Sequence, residues 1–318
     1  MIGWKCVSMN TSKMGRMPLT GLKVSVVSTA FSDDVRSAAT EARTAGFSGL
    51  LVDAVSAALD LTELSASGRR EFQRLLSSNG LALVGLRGDV GANGFGPGAD
   101  VDRLLSRLGG MLETAAGLQA RLLCLEAGPL PEPPRVAPVK PAVTPDQAGL
   151  ILLPTAPAAP MPEEPARPRD AVAESHVDSA LIALGQLADR FGCTVAFRSE
   201  LASFVALERA MNAAACPWFA VDLDPVAILR DEWPIDEVFS RLGRSIRHVR
   251  GRDALKGAGR RTKPAAVGAG STEWPALLSR LDQSGYNGWI SVDPTDLSDR
   301  RAAARAALSV INRSGASS

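Results

Sequence analysis

Short apolar runs rich in β-branched residues alternate along most of the chain with longer stretches in which apolar residues recur every three to four positions. The short runs are typical of buried strands, and the longer stretches are typical of amphipathic helices. Eight strands are predicted in this way, at residues 23–28, 49–54, 81–87, 121–126, 193–198, 218–224, 246–250 and 288–293. Strands that alternate with helices indicate βα units and a parallel sheet.

The number of these units decides between two α/β architectures. An open, doubly wound sheet shows the same alternation, but no glycine-rich dinucleotide-binding loop follows the first predicted strand. Eight strand–helix repeats instead predict a closed (β/α)8 TIM barrel.

Two segments fall outside this alternation. Residues 1–20 are polar and irregular, and we interpret them as a flexible tail in which Met17 is a second candidate start. More than half of the 21 prolines lie between Pro129 and Asp170, where neither a strand nor a helix period is visible. We interpret residues 21–318 as one barrel domain, interrupted at 129–170 by a proline- and alanine-rich insertion after strand four.

The insertion has two interpretations. Its composition favours extended conformers that pack poorly and act as a spacer. The apolar segment 148–154 would instead allow it to dock on the barrel as a lid. Without the tail and the insertion roughly 256 residues remain, close to the ~250 that are typical of such barrels.

Charge and composition exclude several classes of protein. Lys+Arg 35 against Asp+Glu 34 gives a net charge of +1, so no overall basic field favours nucleic acid. We interpret the basic segment 251–264 as a solvated loop over the barrel mouth. No apolar run is as long as a membrane span, and the first residues lack the apolar core of a secretory signal, which predicts a cytoplasmic protein without membrane partners.

Cysteine and histidine are too sparse for several kinds of metal site. The four cysteines are far apart in sequence, without a C-x-x-C pair, which argues against a structural zinc site or a disulfide framework. The only histidines are His176 and His248, so a site that needs several imidazoles is excluded.

Charged residues mark the ends of most predicted strands, where the active sites of TIM barrels lie. They are Asp53, Arg87, Glu126, Arg198, Asp224, Arg250 and Asp293. Because side chains alternate along a strand, Asp222 shares a face with Asp224, and His248 shares one with Arg250. We expect a ring of charges at the mouth, with a second layer beneath it.

The segment 267–293 resembles the last βα unit of the xylose isomerase-like TIM barrels, the sugar phosphate isomerase/epimerase group that includes AP-endonuclease-type members. Gly268 and Gly270, the sequence 273–275 (EWP) and the sequence 285–288 (GYNG) carry the resemblance, and the glycines suit tight turns at the barrel mouth. Residues 221–229 and 246–254 resemble the motifs of strands six and seven in the same family.

The resemblance implies a divalent metal held by a carboxylate from strand five, an Asp from strand six, a His from strand seven and a Glu from strand eight. In this chain the four positions are Arg198, Asp224, Arg250 and Asp293. The position of a further histidine that often follows strand six is Ala227. Two of the four implied ligands are therefore arginines.

Arginine does not bind metals in proteins, because its guanidinium remains protonated and offers only donors. A guanidinium 4 Å from a divalent cation would oppose binding by about 8 kcal/mol at an effective dielectric constant near 20. We therefore expect no cofactor. Asp224 and Asp293 would be the ligands if a divalent metal did bind. We expect Arg198 and Arg250 to pair with these two carboxylates instead.

Together these features predict a sugar (phosphate) isomerase- or epimerase-like protein for a small anionic carbohydrate, without the family's metal. Candidate catalytic carboxylates are Glu126, Glu200, Asp224 and Asp293. Candidate ligand-binding residues are Arg87, Arg198, Arg250, His248 and Asp253, although His248 also fits a hydrogen-bonded residue of the barrel interior. The alternative is a catalytically inactive barrel that binds a ligand or regulates. An AP-endonuclease-like activity would need a multi-metal cluster rich in histidine and is excluded.

Overall fold

The computed structural model describes residues 23–96, 98–132 and 168–316. The predicted tail and positions 133–167 of the predicted insertion lie outside the described residues. Cys6 also lies outside them, and the three described cysteines, Cys124, Cys193 and Cys216, are free thiols.

Eight parallel strands form the barrel, and each predicted strand is confirmed to within one residue at either end. The strands are β1 (Lys23–Val27), β2 (Gly49–Asp53), β3 (Ala82–Gly88), β4 (Leu122–Glu126), β5 (Thr194–Arg198), β6 (Phe219–Leu223), β7 (Ile246–Gly251) and β10 (Trp289–Val292). They follow one another around a closed barrel, which β1 completes by pairing with both β2 and β10.

Helices follow the strands and cover the outside of the barrel. They are α1 (Val35–Ala45), α2 (Ala66–Ser78), α3 (Val101–Gly117), α4 (Pro168–Phe191), α5 (Phe204–Ala214), α6 (Pro225–Asp231), α7 (Ile235–Leu242), α8 (Trp274–Gln283) and α9 (Arg300–Ala316). Side chains of Asp34, Ser65, Asp100 and Ser203 cap α1, α2, α3 and α5 by accepting from backbone N–H groups. No helix among the described ranges is long and apolar enough to span a membrane.

The hydrophobic core lies between the strands and the helices. Strand side chains such as Val26, Leu50 and Leu123 point outward and are fully buried against helix residues such as Leu108 and Leu112. Because side chains alternate along each strand, the intervening residues point into the barrel. The inward-facing set includes buried polar groups, and these form the site described below.

An antiparallel hairpin replaces the solvated loop predicted for residues 251–264. Its strands are β8 (Asp253–Lys256) and β9 (Thr262–Ala265). The predicted exposure to solvent is confirmed for most of residues 255–264. The predicted loop conformation was wrong, because the prediction weighed the basic residues and not the buried pair Asp253–Ala254, which holds the start of β8 inside the protein.

Asp253 organises the loop that contains the G-x-G motif. Its carboxylate accepts hydrogen bonds from the backbone N–H groups of Ala254, Gly268, Gly270 and Thr272 and from the Trp274 indole. A Cβ at Gly270 would lie 2.1 Å from Asp253 Oδ1, and Gly268 has a φ of +82°. The close approach of the loop to Asp253 requires a glycine at position 270, and the left-handed backbone favours a glycine at position 268.

Candidate active site

The strand ends enclose a cavity of about 480 Å³ at the mouth of the barrel, which we call the mouth cavity. The charged residues that line it lie at the ends of several different strands or in the loops that follow them. They are Asp53, Arg87, Asp89, Glu126, Arg198, Glu200, Arg250, Arg252, Asp293 and Asp296. All seven charged strand-end residues of the sequence analysis meet at this end of the barrel, with Asp224 contacting the lining residue Arg252.

A hydrogen-bonded layer lies beneath the mouth cavity. Ser25 Oγ is 2.6 Å from Ser291 Oγ, which in turn is 2.6 Å from His248 Nε2. His248 Nδ1 lies 2.6 Å from Asp222 Oδ1. Burial disfavours the charged imidazole, but Cys124 and Asp222 raise the pKa of His248 to about 10. The protonated ring therefore donates from both nitrogens, to Ser291 and to Asp222.

Arg250 connects this layer to the mouth cavity. Its Nε donates to Asp222 Oδ2 at 2.7 Å, and its Nη1 donates to Asp293 Oδ2 at 2.7 Å. Burial alone would raise the pKa of each carboxyl group, but the adjacent Arg250 lowers both well below the usual range. Arg250 and its two aspartates are all buried, so they form a compensated ion-pair cluster inside the barrel.

Arg87 extends the cluster to β3, on the side of the barrel opposite β7. Its guanidinium binds both carboxylate oxygens of Asp53, at 2.6 and 3.0 Å, and donates to Asp293 at 3.1 Å. Asp293 thus bridges two guanidiniums through one oxygen. Its other oxygen accepts from the backbone N–H and the hydroxyl of Thr295.

Glu126 and Arg198 form a second cluster at the ends of β4 and β5. Arg198 Nε donates to Glu126 Oε2 at 3.1 Å, and its Nη2 contacts Glu200. Glu126 Oε1 accepts from the backbone N–H groups of Glu200 and Leu201, at 2.8 and 3.1 Å. Burial raises the pKa of Glu126 above its ordinary value, although Arg198 opposes the shift.

Arg252 is a member of the site that the sequence analysis missed. Its Nη1 donates to Asp224 Oδ2 at 2.6 Å, and its Nη2 contacts Asp296. Burial opposes the charged guanidinium, but Asp224 and Asp296 raise the pKa of Arg252. The signal was available, because Arg252 continues the inward alternation of His248 and Arg250 by one step beyond β7.

The expected pairing of arginines with Asp224 and Asp293 is confirmed for Arg250, which binds Asp293. The expected pairing of Arg198 with Asp224 is also present, as a longer ion pair of 3.9 Å. The closer partner of Asp224 is Arg252, at 2.6 Å, since Arg198 also contacts Glu126 and Glu200.

Two predicted ligand-binding residues lie away from the mouth cavity. His248 is fully buried beneath Arg250, which agrees with its interpretation as a hydrogen-bonded interior residue. Asp253 lies beyond β7, and both of its carboxylate oxygens are occupied by the loop that precedes α8. Neither side chain offers a free polar atom to a ligand in the mouth cavity.

The chain belongs to the xylose isomerase-like TIM barrel family, whose model matches residues 39–314. A search among curated proteins found no match.

Solved structures with the same fold cover almost the whole barrel. A xylose isomerase domain protein from Planctomyces limnophilus is 15% identical, with a TM-score of 0.67 over 92% of this chain and 97% of that chain. A probable 3-DHS dehydratase from Bacillus anthracis is 11% identical, with a TM-score of 0.67 over 92% and 99%. D-psicose 3-epimerase from Clostridium cellulolyticum H10 is 14% identical, with a TM-score of 0.64 over 92% and 99%. At these identities the likeness shows the fold alone.

The four positions at which the family resemblance implies metal ligands do not fit a divalent ion. Asp293 accepts from Arg250, and Asp224 accepts from Arg252. Arg198 and Arg250 offer no lone pair and bring two positive charges to the same place. Each of these four residues therefore already has a neighbouring side chain of opposite charge as its partner.

A different group, Cys124, Asp222 and His248, lies deeper in the barrel. Each of these side chains offers one ligand atom, and the three atoms lie within 4.8 Å of one another. The group is close enough to hold a metal ion, but both nitrogens of His248 lie at hydrogen-bond distance from Asp222 and Ser291. Arg250 occupies the second oxygen of Asp222. A metal ion would have to displace the ring protons and tolerate the adjacent guanidinium.

Replacing Arg250 with alanine should strongly destabilise the protein. Asp222 and Asp293 would lose a buried partner, a change that costs about 3–5 kcal/mol in comparable buried pairs. Arg36→Ala is the matched control, because it removes an exposed ion pair with Glu71 and should cost at most about 1 kcal/mol. Thermal or urea unfolding at pH 7 measures both, and an Arg250→Ala protein as stable as the control would contradict the cluster's role.

The loss of folding stability caused by Arg250→Ala should also be smaller at acid pH. Folding lowers the pKa of both aspartates in the wild type. Their stabilisation is therefore complete above an aspartate's unfolded pKa of ~3.9 and is lost as the pH falls further. Without Arg250, the effect of burial on Asp222 is opposed by His248 and that on Asp293 mainly by Arg87, so both pKa values lie higher than in the wild type. Proton uptake at lower pH then relieves part of the penalty. In melting curves from pH 7 to pH 4, the difference in melting temperature between variant and wild type should therefore narrow without closing, because the wild type keeps its stabilisation over this range. A difference that stays constant over this range would contradict the prediction.

Proposed function

We propose that this chain is a sugar isomerase- or epimerase-like barrel protein that acts on or binds a small anionic carbohydrate in the mouth cavity, without a divalent metal. The observation that carries the proposal is the replacement of two implied metal ligands by Arg198 and Arg250, whose charges are compensated by carboxylates of the site. The fold shared with D-psicose 3-epimerase supports the choice of a carbohydrate as the substrate or ligand.

Glu126 is the best placed of the predicted bases. Isomerisation and epimerisation of a sugar require a base that removes a proton from the carbon next to a carbonyl group. A base works best when its pKa is near the working pH, and burial moves the pKa of Glu126 in that direction. Two backbone N–H groups and Arg198 orient its carboxylate.

The guanidiniums of the mouth cavity supply the electrostatic part of the proposed reaction. As the proton leaves, negative charge develops on the carbonyl oxygen and needs donors that are already in position. Arg198 and Arg252 line the cavity on the same side as Glu126 and Glu200. They are suited to the anionic group of the carbohydrate, whereas Arg87, which also lines the cavity, would stabilise that oxygen by hydrogen bonding.

Asp224 and Asp293 are weaker candidates for the base. Asp293 accepts from Arg250 and Arg87, and its lowered pKa makes it a poor proton acceptor near neutral pH. Asp224 accepts from Arg252 and caps α6 through the N–H of Val226. We assign to both the task of holding the arginines, and Glu126 remains the proposed base.

The alternative is a binding or regulatory protein without catalysis. The pairing of every guanidinium that lines the mouth cavity with a carboxylate favours it, because such a cluster is stable without a reaction to perform. The two functions differ in turnover. An enzyme exchanges a carbon-bound proton of its substrate with solvent, whereas a binding protein is only stabilised by its ligand.

Solvent exchange in D₂O separates these functions. We expect proton NMR to show the loss of a carbon-bound proton signal from at least one of a panel of aldoses, ketoses and their phosphates. Glu126→Gln should slow that exchange by about 10²-fold or more, the range typical of a general base. Glu113→Gln, on the exposed surface of α3, is the matched control and should exchange at the wild-type rate.

Two results of this experiment would change the proposal. Thermal stabilisation by a sugar without exchange would establish the binding alternative. Neither exchange nor stabilisation by any member of the panel would contradict a carbohydrate function.

Restoring the implied ligands should restore metal binding. The double substitution Arg198→Glu with Arg250→His recreates a Glu–Asp–His–Asp set, whose oxygen and nitrogen donors suit Mn²⁺ or Co²⁺. We expect stoichiometric metal after gel filtration, by elemental analysis. The matched control, Arg198→Gln with Arg250→Gln, removes the same two charges and should bind none.

Folding of the double variant is checked by circular dichroism before the metal is added. Arg198→Glu alone retains Arg250 and serves as the second variant, in which Mn²⁺ should raise the melting temperature less than in a folded double variant. A folded double variant that binds no more metal than the glutamine control would contradict the positional equivalence on which the proposal rests.

A further inference from the structure

Arg198 and Arg252 present their guanidiniums to the same side of the mouth cavity. Arg198 ends β5, and Arg252 follows β7, so the barrel brings together residues that are distant in sequence. Their side chains are 19% and 12% exposed, which leaves part of each guanidinium open to the cavity. A pair of guanidiniums that shares one open side is suited to a phosphate or carboxylate group.

Both guanidiniums are anchored by carboxylates that are themselves held in place. Arg198 donates to Glu126, which also accepts two backbone N–H groups. Arg252 donates to Asp224, whose other oxygen caps α6. The two cationic groups would therefore keep their positions if their exposed partners moved away.

The exposed carboxylate that reaches both of them is that of Glu200. Its Oε2 contacts Arg198 Nη2 and lies 4.0 Å from Arg252 Nη1. The Glu200 side chain is 48% exposed. Ion pairs with this much exposure contribute little to stability, so moving the carboxylate into solvent costs little.

The backbone of Glu200 is held independently of its side chain. The backbone N–H donates to Glu126 Oε1, and the carbonyl oxygen accepts from Arg230. The carboxylate can therefore leave the arginines by rotation of its own side chain, without movement of the loop between β5 and α5.

We propose that Arg198 and Arg252 form an oxyanion-binding subsite and that the Glu200 carboxylate is its internal occupant, which a phosphate or carboxylate group of a ligand displaces. The inference rests on the proposed function, because it states where the anionic group of the carbohydrate binds. A phosphate group offers several strong acceptor oxygens to the two guanidiniums, whereas Glu200 offers them one oxygen. Displacement thus exchanges an exposed ion pair for one with more hydrogen bonds.

Calorimetric titration of the full chain with inorganic phosphate, at low ionic strength, tests the subsite. Glu200→Gln should bind phosphate about tenfold more tightly than the wild type, because a full negative charge that competes at contact distance is removed. The matched control is Asp89→Asn. Asp89 lines the same cavity, and its side chain forms no ion pair within the described part of the chain.

Adding Arg198→Gln to Glu200→Gln should abolish the gain, and equal melting temperatures of Glu200→Gln and wild type would show that the fold is intact. Equal tightening by Glu200→Gln and Asp89→Asn would overturn the proposal, because it would reduce the effect to the net charge of the cavity. Unchanged binding in Glu200→Gln would overturn it as well. Phosphate carries no sugar, so either failure would leave the proposed carbohydrate function to its own tests.

Discussion

The buried carboxylates inside this barrel need a positive charge beside them, and Arg250 supplies most of it. Asp222 and Asp293 are both buried, and an unpaired charge there would cost several kcal/mol. One guanidinium binds both. Through Asp293 it positions Arg87, and through Asp222 it aligns His248. The ring of charges at the mouth is thus built on a buried cluster and not on independent surface ion pairs.

The compensation of these carboxylates by arginines also limits the reactions that the site can catalyse. A guanidinium supplies positive charge and directed hydrogen bonds, but it has no coordination site to offer to a substrate oxygen. The proposed reaction without a metal therefore relies on hydrogen bonding by arginines and on a carboxylate base. Burial raises the pKa of Glu126 although its carboxylate contacts Arg198, and we therefore propose that Glu126 carries out the proton transfer.

Much of the fold was predictable because each strand is a short apolar run bounded by turn residues. The sequence also predicted that the charged residues at the strand ends lie at the candidate site, because active sites of TIM barrels lie at that end of the strands. Arg252 was missed because it lies one step beyond the strand in which alternation was counted. The task of Asp253 depends on a loop 15 to 21 residues further along the chain, which no local pattern reveals. The choice of Glu200 and not Asp224 as the open partner of Arg198 depends on exposure, which only the folded chain defines.

The central claim is that the arginines take the place of the metal. Elemental analysis of purified wild-type protein, after incubation with Mn²⁺, Co²⁺, Zn²⁺ and Mg²⁺ and removal of the excess, tests it most directly. We expect that no metal is retained in stoichiometric amount. A near-stoichiometric content of any of these metals would contradict it and would show that Cys124, Asp222 and His248, or the carboxylates of the mouth, bind an ion despite the adjacent guanidiniums.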